Sequence, residues 1–181
     1  DGTGKNWIGQ FMEPKARDLT AYTASEMSTQ RLRQTIRDGL AMLENLTHRG
    51  AVGADPLMGD GAGMLIQIPD EFFRAEMAGQ GIELPEADHY AVGYLFMPQE
   101  AALRAHCENI VREVIAAEGQ VLIGFRDVPV DNSSLSKAPE IAATEPFHRQ
   151  VFVGRGAGIA SDDDFERRLY ILRKVISNTI N

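Results

Sequence analysis

Two hydrophobic periods alternate along this chain, and the alternation limits the folds open to it. Short runs rich in aliphatic or aromatic residues, bounded by Gly or Pro, occur at 64–68, 91–97, 121–128 and 150–153 and predict strands. Elsewhere apolar residues return at steps of three and four. Leu32, Ile36, Leu40, Leu43 and Leu46 would line one face of a helix that begins at Ser28 or Thr29 and stops near His48-Arg49-Gly50. Helical spacing also marks 70–77, 100–117 (Leu103, Cys107, Ile110, Val111, Val114, Ile115) and 162–180 (Phe165, Leu169, Leu172, Val175, Ile176). Intermixed strands and helices predict an α+β or α/β fold with mixed strands. Residues 129–148, rich in Pro, Ser and Asn, read as a long loop of the kind that carries function or moves. Residues 1–27 hold no sustained period, which predicts an irregular N-terminal extension before one domain over 28–181.

Charge narrows the function. With 18 basic against 26 acidic residues and a net charge of −8, the chain has no cationic excess for phosphates. That argues against nucleic acid and anionic membrane as partners, and leaves a small molecule or a protein. Cys107 is the only cysteine, so an internal disulfide and a zinc site built on several thiolates are both excluded. Apolar runs fall short of the roughly 18 residues of a membrane span, and the first ten residues are too polar for a secretory signal. A cytoplasmic location is the resulting expectation.

Several residues invite chemistry and are better explained without it. Cys107 lies on the apolar face of its helix with Leu103, Ile110 and Val111, which predicts packing rather than a nucleophile. Gly154, Gly156 and Gly158 follow a strand and precede a helix. A dinucleotide fingerprint needs its third glycine where Ile159 stands, and Asp162, Asp163 and Asp164 would repel a phosphate. Those aspartates suit the helix dipole instead. Asp55 and Asp60 flank glycines without a recognised ligand spacing, and His89, His106 and His148 share none, so no metal site is expected. Thr20, Thr23 and Ser25 read as turn and capping positions.

The most specific stretch is 43–63, LENLTHRGAVGADPLMGDGAG: a helix running into His-Arg-Gly, then a glycine-rich segment, then an apolar run. It resembles the start of class II glutamine amidotransferases, and GADPLMGDGAG is similar to their glutamate synthase branch. The resemblance continues through MLIQIPDEFF, AVGYLFM, VLIGFRDVPV and RQVFVGRGAGIASDDDFERRLYILRK, covering 28–181. It implies an α+β fold of the N-terminal-nucleophile hydrolase type, a four-layer αββα sandwich present here in part.

The chemistry it implies is hydrolysis of the glutamine side-chain amide, with ammonia passed through a tunnel to a second site. An N-terminal cysteine is the nucleophile, its own α-amino group the base, and an Asn-Gly pair the oxyanion hole. Arg49 matches the arginine that holds the substrate α-carboxylate, with His48 and Gly50 as its neighbours in the substrate-binding motif. His48 would hold the Arg49 loop by a local hydrogen bond. The cysteine would fall near Leu19, yet 18–26 contains none, and the Asn-Gly pair is expected past Asn181. No catalytic residue is therefore assigned. The resemblance implies an incomplete, inactive glutaminase domain that binds glutamine or a related molecule weakly; the alternative is a non-catalytic binding or structural module on the same fold. No cofactor is expected, because flavin and iron-sulfur centres belong to other domains of complete glutamate synthases. A sheet short of strands would expose edges, so self-association is expected.

Overall fold

The structure, a computed structural model, describes residues 29–49, 63–133 and 143–180. Helix α1 spans Thr29–Asn45 and runs into a single 3-10 turn, Thr47–Arg49. Next come α2 (Asp70–Ala78), β1 (Tyr90–Met97), α3 (Ala101–Ala117), β2 (Val121–Asp127), β3 (Phe147–Gly154) and α4 (Asp162–Ile180). The strands form one antiparallel three-stranded sheet in the order β1-β3-β2.

Alternation along β3 divides the core into two. Val151 and Val153 face Val111 and Ile115 of α3 and Leu172 of α4, with Phe125 of β2 beside them. Phe152, between those valines, turns to the opposite face and packs with Phe73 and Met77 of α2, Leu84 and Tyr90. Its ring meets Phe73 edge-on at 5.1 Å and stacks on Tyr90 at 6.3 Å. The helical spacing of Phe73 and Met77, and of Val111 and Ile115, is what lets each helix lay one stripe on the sheet.

The strands at 91–97 and 121–128 stand within a residue of where the apolar runs place them, while β3 starts at Phe147, inside the stretch read as loop. The predicted strand at 64–68 is a correction. Residues 63–69 belong to no strand or helix, because a run of apolar residues becomes a strand only where a neighbour takes up its backbone groups. Helix α1 departs as well. Leu32 is buried and Ile36 and Leu43 half-buried, but Leu40 and Leu46 are exposed, so the apolar stripe is narrower than its spacing suggests. Gly39 lies on the inner side, where an added Cβ would come within 2.9 Å of the Met64 methyl.

Where the sequence suggests a glycine fingerprint, the structure has a clasp. A Cβ on Gly156 would stand 1.9 Å from the Gly119 carbonyl oxygen, so only glycine fits against the end of α3. The Gly156 amide donates to Gln120 Oε1 at 3.1 Å, and Arg155 pairs with Asp162 at the start of α4. Ser161 Oγ then accepts from the Asp164 amide at 3.2 Å and caps the helix. Gly156, Arg155, Asp162, Ser161 and Asp164 are thus taken up in joining strand to helix.

Candidate functional site

His48 and Arg49 sit where a helix C-terminus is rewound into a tighter turn. The Arg49 amide donates to the Leu46 carbonyl at 2.8 Å, and Thr47 Oγ1 donates to the Glu44 carbonyl at 2.7 Å. His48 Nδ1 donates to the Asn45 carbonyl at 2.9 Å. These bonds satisfy carbonyls that the end of a helix leaves without partners. His48 thus makes the local bond the sequence suggests, and it fixes the turn that carries Arg49. Both residues are exposed, and the Arg49 guanidinium stands next to the negative end of the α1 dipole. Gly50, Asp55, Asp60, and the Leu19, Thr20, Thr23 and Ser25 positions lie outside the described residues.

Cys107 is buried on α3, one turn before Val111. Among the described residues no cluster of His, Cys, Asp and Glu has the makings of a metal site. No helix among them is long and apolar enough to cross a membrane.

One charged cluster escaped the sequence reading. Arg126, in β2, is 7% exposed. Its Nε and Nη2 donate to Glu76 Oε2 of α2 at 2.9 and 2.5 Å, and Nη1 donates to Gln150 Oε1 of β3 at 3.1 Å. The Phe72 ring lies 5.3 Å from the guanidinium. A basic residue inside an apolar run, with only Asp127 after it, was the signal available. Since its donors are occupied, Arg126 is a strut between α2 and the sheet rather than a free anion site. Tyr90 and Arg74 form a second strut on the same face. The Tyr90 hydroxyl donates to Asp70 Oδ1 at 2.8 Å, Arg74 Nε donates to Asp70 Oδ2 at 2.8 Å, and Arg74 also reaches the Leu84 carbonyl at 2.8 Å. Burial first, and then the bond to Asp70, push the Tyr90 hydroxyl well above the ordinary phenol range.

The described site is therefore a surface turn presenting one imidazole and one guanidinium, held above a mixed α+β scaffold. Residues 22–181 match the family described as glutamine amidotransferases class-II, and the chain belongs to that family. Its relatives are glutamate synthases. The chain is 43% identical to the glutamate synthase [NADPH] large chain of Bacillus subtilis over 143 residues, which is 79% of this chain and 9% of that protein. Ferredoxin-dependent glutamate synthase 2 of Arabidopsis thaliana is 35% identical over 148 residues, and the ferredoxin-dependent enzyme of Spinacia oleracea 37% over 143. They cover 80% and 79% of this chain, and it spans 9% of the length of each.

Proposed function

We propose that this chain is the scaffold and substrate-carboxylate side of a glutamine-hydrolysing domain of the glutamate synthase kind, and that the 181-residue chain does not itself release ammonia. The observation that carries the second half is the position of Cys107. The only thiol in the sequence is buried on α3, where its side chain is shielded from solvent and substrate. Arg49, with His48 and Gly50, would take the α-carboxylate of glutamine or a related molecule. A single guanidinium on an exposed turn should hold it weakly.

The same reading assigns the open sheet face to a second sheet. On the side of α2, Tyr94 and Phe96 of β1 and His148 of β3 form an aromatic patch: the Tyr94 hydroxyl and His148 Nδ1 are hydrogen-bonded at 2.9 Å, and Phe96 is 71% exposed. Such a patch supports the four-layer αββα sandwich of N-terminal-nucleophile hydrolases, in which an inner sheet face is covered. It equally supports the second reading, a non-catalytic module whose apolar face is covered by a protein. Self-association and a cytoplasmic setting belong to this proposal.

The test is ammonia release from glutamine by the purified chain, by a version trimmed to begin at Leu19→Cys, and by each carrying Arg49→Ala. Both parent forms should be silent, because a cysteine without its oxyanion donors lacks a factor of about 100 to 1,000 in rate for each donor missing. Turnover by the untouched chain, abolished by Arg49→Ala, would overturn the assignment. Weak glutamine binding lost in Arg49→Ala would support it, and binding unchanged by that substitution would remove Arg49 from the site.

A further inference from the structure

The end of α1 changes its hydrogen bonding one residue at a time. The Leu46 amide is shared between the Met42 and Leu43 carbonyls, both at 3.1 Å, which is where the four-residue spacing of the helix gives way to three. Beyond it the carbonyls of Glu44, Asn45 and Leu46 each accept from the residue three positions on. The last of these bonds comes from the backbone, through the Arg49 amide. The other two come from side chains, Thr47 Oγ1 and His48 Nδ1.

No residue of the turn Thr47–Arg49 is buried, so hydrogen bonds rather than core packing hold it. A carbonyl oxygen can only accept, so His48 Nδ1 carries a proton, and in the neutral ring Nε2 then carries none. A hydroxyl and an imidazole are thereby committed to the backbone of α1 immediately before the arginine. Fixing the backbone of a binding residue in advance lowers the ordering entropy that a ligand would otherwise have to overcome.

We propose that Thr47 and His48 are positioning residues: they clasp the end of α1 so that the Arg49 backbone is fixed before a carboxylate arrives, and the His48 ring acts through Nδ1 on the helix rather than on the ligand. This role rests on the reading of Arg49 as the residue that takes the carboxylate. It divides the motif, with Arg49 meeting the ligand and its two predecessors meeting the helix.

Backbone amide relaxation and glutamine titration by NMR, on the 181-residue chain and on Thr47→Val, Thr47→Ser, His48→Ala, His48→Asn and His48→Gln, test this. The replaced side chains are exposed, and circular dichroism verifies that each variant is folded. An asparagine side chain puts an amide N–H at the same remove from the backbone as Nδ1, whereas a glutamine side chain puts it where Nε2 stands. The Arg49 amide should be as ordered as rigid backbone in the parent, Thr47→Ser and His48→Asn, with an order parameter of about 0.85. It should fall toward about 0.6 in Thr47→Val, His48→Ala and His48→Gln. Binding of free glutamine should weaken about threefold to tenfold in those same three variants, the loss expected for one hydrogen bond, and return in His48→Asn. Long-range proton–nitrogen spectra of the neutral His48 ring should show the proton on Nδ1. A proton on Nε2, or an Arg49 amide whose order is untouched by His48→Ala and Thr47→Val, overturns the clasp. Binding unchanged where the order of Arg49 falls overturns the positioning role. Binding kept by His48→Gln and lost by His48→Asn overturns the division of the motif, since the ring would then serve the ligand through Nε2. A parent chain that binds no glutamine while the order parameters follow the expected pattern upholds the clasp and removes the carboxylate reading of Arg49.

Discussion

Helices α1 and α4 carry similar apolar periodicity and meet different fates. On α4, Phe165 and Leu172 are buried and Leu169 and Ile176 pack against the sheet, with α3 alongside. On α1 the matching residues reach further out: Leu40 is 50% exposed and Met42 63%. The helix itself is well formed in both. Periodicity therefore sets the face a helix offers, whereas burial depends on a second surface being present to take it.

That contrast can be broken most forcefully at Phe152, which is fully buried between Phe73 and Tyr90. Phe152→Ala should cost about 3 to 5 kcal/mol, read as a shift in urea midpoint with unchanged slope. A loss below about 1 kcal/mol would mean that the α2 side of the sheet is not a packed core.

A smaller effect is expected at the Tyr90–Asp70 bond. Tyr90→Phe removes a half-buried hydrogen bond and should cost about 1 kcal/mol near neutral pH. Because the folded state holds the phenol above its unfolded value of about 10, the Tyr90 contribution is whole below that pH and falls as pH rises toward the higher folded value. The parent should therefore lose more stability than Tyr90→Phe between pH 9 and 11, by denaturation at each pH. Parallel losses would show that Tyr90 does not titrate as its burial demands.

The least effect belongs to α1. Leu40→Ser should change stability by no more than about 0.5 kcal/mol, since the side chain is already half in water. A cost comparable to that of Phe152→Ala would place α1 in the core after all and erase the contrast.

Those same residues explain what could be read in the sequence. The strands containing 91–97 and 121–127 were legible because each is a short run rich in aliphatic and aromatic residues bounded by turn residues. Residues 64–68 satisfy the same local criteria and form no strand, since local composition carries no information about which backbone will pair with it. At the candidate site, the order His48-Arg49-Gly50 was legible and so was the local bond from His48 to the preceding helix. The Arg126 strut was not, because its partners Glu76 and Gln150 come from two other elements and the sequence places none of them beside another.

The strand order also has a consequence in time. Strand β3 is the central strand, yet it is the last of the three in sequence. During synthesis β1 and β2 leave the ribosome without the neighbour they share, and their pairings, such as Tyr90 with Gly154 and Val121 with the same residue, must wait until β3 has emerged. Contacts so distant along the chain slow folding, and the uncharged β1 is exposed to other chains throughout the delay. Slower elongation between residues 128 and 146 should prolong that interval and lower the soluble yield of the nascent protein, whereas β2, with its bulge and charges, can wait more safely.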